Sequence, residues 1–226
     1  MIKAAIFDID GTLVDSVDLH AEAWHEALAK FGHNVPYERV RQQIGKGADQ
    51  LLPAFLTREE QQAYGKRLEE FRGRLFKRKY LPQVKPFPRV RELFQRLQND
   101  GNQIILASSA KGNELKDYER IAGIEDIIDH ETSSDDAARS KPHPDIFAAA
   151  LSRLHHVKPM EVVVVGDSPY DAQAAKKIAL TTVGVRSGGF LEEELRVAGF
   201  DTMYDDCADL LEHYFQSLFA STRKAA

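Results

Sequence analysis

The chain is short of cysteine: Cys207 is the only one in 226 residues. No internal disulfide can form, so nothing here calls for an oxidising compartment. Long apolar runs are missing as well, and none approaches the ~20 residues that cross a bilayer. The start of the chain passes directly into an apolar strand pattern, and no signal peptide is expected. Basic residues are not in excess. Lys and Arg number 30 against 35 Asp and Glu, a formal charge of −5, which gives no support for a nucleic-acid or anionic-membrane partner. Repeats and low-complexity tracts are absent. The expectation is a soluble cytoplasmic protein with no nucleic acid and no membrane among its partners.

Apolar residues are sufficient for a substantial core, at 43% of the chain beside 29% charged. Strands are expected near 3–8, 103–107, 127–130, 161–165 and 181–185, with a weaker one near 201–204. Helices are expected near 87–99, 112–121, 143–154, 170–179, 191–197 and 206–219. Such alternation implies a mainly parallel sheet covered on both faces, an α/β class of three layers. Val162-Val163-Val164-Val165 carries the strongest strand signal, since four β-branched residues in a row suit a strand buried on both sides.

The first gap breaks the alternation. More than 90 residues between the first two strands of the sheet read mainly as helix, near 17–31, 37–43, 48–55 and 58–78. Trp24, Ala27, Leu28 and Phe31 mark an apolar face on the first of these. Pro82, Pro86 and Pro88 bracket the return to the alternating pattern. The economical division is a core of residues 1–14 and 84–226 with an all-helical insert at 15–83. Placed directly after the first strand, the insert suits a lid that excludes water and selects substrate.

The first strand ends in Asp8-Ile9-Asp10-Gly11-Thr12, two carboxylates two residues apart followed by a glycine that lets the backbone turn. The ends of parallel strands are where ligands bind in open α/β sheets. Three further segments carry polar groups. Ile104–Ala107 runs into Ser108-Ser109, Ser140-Lys141-Pro142 precedes a helix, and the valine strand ends in Gly166-Asp167-Ser168-Pro169-Tyr170-Asp171. Aspartates, a hydroxyl and a lysine at one edge make a sensible site for a phosphate and a divalent cation.

In order and type, Asp8-x-Asp10-Gly11-Thr12, Ser108, Lys141-Pro142 and Gly166-Asp167-x-x-x-Asp171 resemble the four motifs of the haloacid-dehalogenase-like (HAD) hydrolases. The insert resembles the cap of that superfamily's helical-cap subgroup, the phosphoglycolate phosphatase and β-phosphoglucomutase-like members. The resemblance implies a Rossmann-like core and a chemistry. Asp8 is then the nucleophile, forming an aspartyl phosphate, and Asp10 protonates the leaving oxygen and then activates water. Mg²⁺ is implied between the carboxylates of Asp8 and Asp167 and the backbone carbonyl of Asp10. Ser108 is implied to bond a phosphoryl oxygen with Ser109 nearby, and Gly11 and Thr12 to lie at the substrate. Lys141 balances charge, and Asp171 orients metal waters or Lys141 from outside.

Asp10 also sorts the activities. Members that cleave carbon–halogen or phosphonate bonds lack an aspartate at this position, so its presence favours phosphate-ester hydrolysis on a small phosphorylated metabolite, a sugar phosphate or a short acid. The rival is a sugar-phosphate mutase, because Asp15–Trp24 is similar to the start of the β-phosphoglucomutase cap. There the residue matching His20 couples substrate binding to closure and proton transfer. The loop Gly45–Gln50, however, lacks the arginine that binds a second phosphate in those mutases. Gly45-Lys46-Gly47 is no dinucleotide loop, having no third glycine and helical flanks. The eight histidines show no zinc spacing. The basic stretch Lys66–Lys79 reads as a solvated helix face, with one of its cations available to a distal anionic group of the substrate.

Overall fold

The computed structural model describes residues 1–220, and the end of the 84–226 span lies outside them. The strands are β1 (Ala4–Phe7), β2 (Val14–Asp15), β3 (Lys85–Pro86), β4 (Gln103–Ala107), β5 (His130–Thr132), β6 (Val162–Gly166), β7 (Thr181–Val185) and β8 (Thr202–Tyr204). Six of them form one sheet in the order β5-β4-β1-β6-β7-β8, and every pairing in it is parallel.

Alternation of side chains along the strands divides the interior into two layers. Ala5 and Phe7 of β1, with Val163 and Val165 of β6, join the larger apolar cluster, together with Leu93, Phe94 and Leu97 of the helix Val90–Asn99. Ala4, Ile6, Val162 and Val164 face the other way, onto Ile146, Phe147 and Ala150 of the helix Asp145–Ser152. Helices therefore cover both faces, and the fold is the Rossmann-like α/β architecture expected. Because β1 lies between β4 and β6, its C-terminal end opens at the centre of the sheet, where loops leave toward opposite sides.

Helices occupy most of Val17–Gln83. Val17, Ala21, Trp24 and Leu28 lie one above another on the helix Val17–Lys30 and pack with Val40, Ile44, Leu51, Leu56 and Leu68 in a cluster of their own. The Thr57 hydroxyl accepts from the Glu60 N–H and Glu60 reaches back to Thr57, a capping box that starts the long helical run. That run continues to Tyr80 through π-helical turns at Gln61–Gly65 and Phe76–Tyr80. The two chain passages joining this region to the sheet run side by side as β2 and β3, with Val14 opposite Pro86 and Asp15 opposite Lys85.

Three expectations shift. The strand placed near 127–130 forms at His130–Thr132; Ile127 is buried in a turn, and the Asp129 carboxylate accepts from the Ile104 N–H at 2.7 Å. The helix placed at 206–219 ends at Glu212 and gives way to a 3-10 turn at Tyr214–Gln216. The helix placed at 87–99 begins only at Val90, because β3 and the prolines hold the preceding residues extended or turned.

Candidate active site

Phe7 pairs with Leu106 on one side and Val165 on the other. This register brings Asp8, Ser108 and Asp167, each just past its strand, to one edge. The Asp8 N–H donates to the Val165 carbonyl at 2.9 Å, and the Ser108 N–H to the Thr132 carbonyl at 3.0 Å. Carboxylate oxygens of Asp8, Asp167 and Asp171 lie within 4.8 Å of one another, and all three residues are buried. Lys141, with 1% of its surface exposed, reaches them from the loop before the helix Asp145–Ser152. Its ammonium is hydrogen-bonded to Asp8 and lies 2.7 Å from Asp171.

The loop geometry serves these carboxylates. Gly11 has φ of +82°, and a Cβ there would stand 2.3 Å from Asp167 Oδ2, so only glycine fits. Thr12 Oγ1 donates to Asp167 Oδ1 at 3.1 Å. Ser168 Oγ donates to Asp171 Oδ2 at 2.6 Å, while the other oxygen of Asp171 turns to Lys141. Ser108 is fully buried, and its Oγ accepts from the Ala110 N–H at 3.0 Å, which leaves the hydroxyl proton free to donate.

Three carboxylates and one ammonium leave a buried cluster short of positive charge, and the carboxyls of Asp8 and Asp167 shift upward accordingly. Burial pushes the Asp8 carboxyl up to about 7; Lys141 opposes this, and the charges of Asp171 and Asp10 add to it. Burial also raises the Asp167 carboxyl well above its ordinary value, and the charges of Asp8 and Asp171 add to it. Burial disfavours the Lys141 ammonium, but Asp171 and Asp8 outweigh it and hold the lysine charged. An all-oxygen cluster with uncompensated negative charge fits a hard divalent cation.

Asp10 is differently placed. Its carboxylate belongs to a cleft of about 490 Å³ between the sheet edge and the helical region, whose wall also includes Asp8, His20, Arg72, Ser109 and Glu114. Ser16 Oγ donates to Asp10 Oδ1 at 2.6 Å, and His20 Nε2 meets the same oxygen at 2.9 Å. Burial would raise the Asp10 carboxyl, but His20 and Ser16 together bring it below its ordinary value. Of the residues expected at the site, Asp8, Asp10, His20 and Ser109 line the cleft. Gly11 and Thr12 do not, since the Gly11 N–H bonds the Val14 carbonyl and the Thr12 hydroxyl goes to Asp167. Ser108, Lys141, Asp167 and Asp171 stand outside the cleft wall, gathered around Asp8.

Phe76, Arg72 and Ser187 were not singled out from the sequence. His20 is buried and stacks on Phe76, with ring centroids 3.9 Å apart. The Arg72 guanidinium lies over Trp24 at 4.7 Å, makes no ion pair among the described residues, and has a buried Nε without a hydrogen-bond partner. Ser187 Oγ donates to the Gly11 carbonyl at 2.6 Å and fixes the turn under Asp167. Of these, only Arg72 had a sequence signal, as one charge among several in a basic stretch.

The chain is similar to proteins already known. The family described as haloacid dehalogenase-like hydrolase matches residues 5–185. A phosphorylated carbohydrates phosphatase of Thermotoga maritima is 28% identical over 186 residues, 80% of this chain and 84% of its own. A phosphoglycolate phosphatase of Salmonella choleraesuis is 31% identical, with 93% of this chain and 91% of its own covered. The crystal structure of a hydrolase from Pseudomonas syringae is 29% identical, with a TM-score of 0.87 over 95% of this chain and 98% of that one.

Proposed function

We propose that this chain, which belongs to the haloacid dehalogenase-like hydrolases, is a phosphatase that removes phosphate from small phosphorylated metabolites. The observation that carries the reading is the cluster of Asp8, Asp167 and Asp171, buried together and crossed by Lys141. It offers a nucleophile, a cation site and a charge balance at one strand end, with a second carboxyl at Asp10 beside the cleft.

The placement supports the roles that the family likeness implies. Asp8 Oδ attacks phosphorus and the ester oxygen leaves, giving an aspartyl phosphate. Asp10 gives the leaving oxygen its proton, then takes one from the water that attacks the aspartyl phosphate. Lys141 holds Asp8 between phosphoryl and carboxylate charge, and Asp171 positions Lys141. Ser108 donates its free hydroxyl proton to a phosphoryl oxygen, assisted by Ser109. The carboxylates of Asp8 and Asp167 and the Asp10 carbonyl would hold Mg²⁺. When bound, the cation offsets repulsion between an anionic nucleophile and an anionic substrate.

Residues 15–83 act as the cap over this site. The paired β2 and β3 support that division, as do the separate apolar cluster and the cleft between the two parts. A cleft of about 490 Å³ suits a small metabolite, not a phosphoprotein. Arg72, at its wall and without an ion pair among the described residues, is the cation that meets the end of the substrate remote from phosphorus. The test is phosphate release from a panel of phosphorylated sugars and short acids, in Mg²⁺ and in EDTA, with Asp8→Asn as the blank. Metal-dependent release lost in the variant supports the reading. Transfer without release, activated by a sugar bisphosphate, would identify a mutase instead.

A further inference from the structure

Tyr118 belongs to the helix Gly112–Ala122 and is 1% exposed, yet its hydroxyl sits among polar groups. It donates to Glu114 Oε1 at 3.0 Å, on the same helix one turn earlier, and lies 2.9 Å from His20 Nε2. A phenol has one proton to give. Since that proton goes to the Glu114 carboxylate, the Tyr118 oxygen is an acceptor toward His20, and Nε2 must carry a hydrogen. That hydrogen faces two acceptors, the Tyr118 oxygen and Asp10 Oδ1, while Phe76 stacks on the ring and fixes its plane.

The consequence falls on Asp10. Ser16 and His20 both donate to Oδ1, and no described protein group bonds Oδ2. One oxygen is saturated with donors and the other is left to carry the reacting proton. Were Nε2 unprotonated, it would compete for the proton of Asp10 and remove it from the reaction.

We propose that Tyr118, held by Glu114, is a positioning residue that keeps His20 as a donor to Asp10 Oδ1 and so assigns proton transfer to Oδ2. The effect passes from the core helix through a residue of the helical region to the acid and base of the reaction. It rests on the phosphatase reading above for its kinetic consequence, but not for the hydrogen bonds themselves.

Two measurements test it. Nitrogen-15 NMR of the imidazole in the whole protein reads the tautomer directly. A hydrogen on His20 Nε2 is expected, and a neutral ring with hydrogen on Nδ1 alone overturns the proposal. This readout stands even if the wild type hydrolyses no ester, an outcome that would sink the phosphatase reading alone. The second compares kcat/KM for 2-phosphoglycolate, whose alkoxide needs a proton to leave, with p-nitrophenyl phosphate, whose phenolate does not. Tyr118→Phe is expected to cost about tenfold on the first and less than about twofold on the second. In a cycle with His20→Ala, the double variant should be no slower than His20→Ala, because Tyr118 acts through His20. Equal losses on both esters, or losses that add in the cycle, would mark a merely structural tyrosine and overturn the proposal.

Discussion

His20, from the helical region, and Asp10, from the loop after the first strand, meet at 2.9 Å through Nε2 and Oδ1. The contact ties the acid and base of the proposed reaction to the helical region. Asp10→Asn should lower kcat by roughly 10²–10⁴-fold. Mg²⁺ affinity should stay within about twofold, because the carbonyl proposed as ligand belongs to the backbone. Steady-state kinetics and calorimetric metal titration separate the two effects, and a tenfold loss of affinity would contradict the ligand assignment.

The pH dependence of stability follows in large part from Asp8, with Asp167, also raised by burial, acting in the same sense. Its folded carboxyl titrates near 7, above the ordinary 3.8, so the folded state holds more protons than the unfolded state between these values. Its contribution to stability is fully present below about 4 and is lost as pH rises through about 7. The Asp10 carboxyl shifts the other way and acts below that window. In EDTA, the urea midpoint of the wild type should therefore fall between pH 5 and 7.5. Asp8→Asn should show a smaller fall, and saturating Mg²⁺ should remove most of it. A fall of the same size in wild type and Asp8→Asn would refute this account.

Lys141→Ala leaves the buried carboxylates without their ammonium. In metal-free protein the variant should lose about 3–5 kcal/mol, the cost of breaking a buried pair by removing one partner. Equilibrium urea unfolding is the check, and a loss below about 1 kcal/mol would show that water or a proton replaces the lysine cheaply.

Arg72 carries the proposed contact to the distal end of the substrate. Arg72→Ala should raise KM for the preferred substrate by about tenfold to a hundredfold, the worth of a hydrogen bond to a charged group. Its kcat should stay nearly unchanged, since binding is lost equally from ground and transition states. A fall in kcat with KM intact would place Arg72 in the chemistry instead.

The sheet was legible because its strands are apolar runs broken by polar residues, and three of them end in side chains that meet. β2 and β3 were not, as two-residue strands have no periodicity and one contains a proline. Ile127 read as strand because a buried isoleucine in a turn looks the same in sequence. Within the site, Asp8, Asp167 and Lys141 stood out by residue type and position. Tyr118 and Phe76 did not, because an aromatic at a buried helical position reads as core, and the π turn that begins at Phe76 leaves no pattern. Ser16 was hidden for a different reason: its bond to Asp10 depends on the turn between them, not on its own identity.

The central claim is that Asp8 carries the phosphoryl group, and acid quenching during turnover tests it most directly. Borohydride reduction of the quenched protein, followed by peptide mass spectrometry, should convert Asp8 to homoserine in the wild type and leave Asp8→Asn unlabelled. Undiminished hydrolysis by Asp8→Asn, or a trapped phosphoryl group on another residue, would contradict the account.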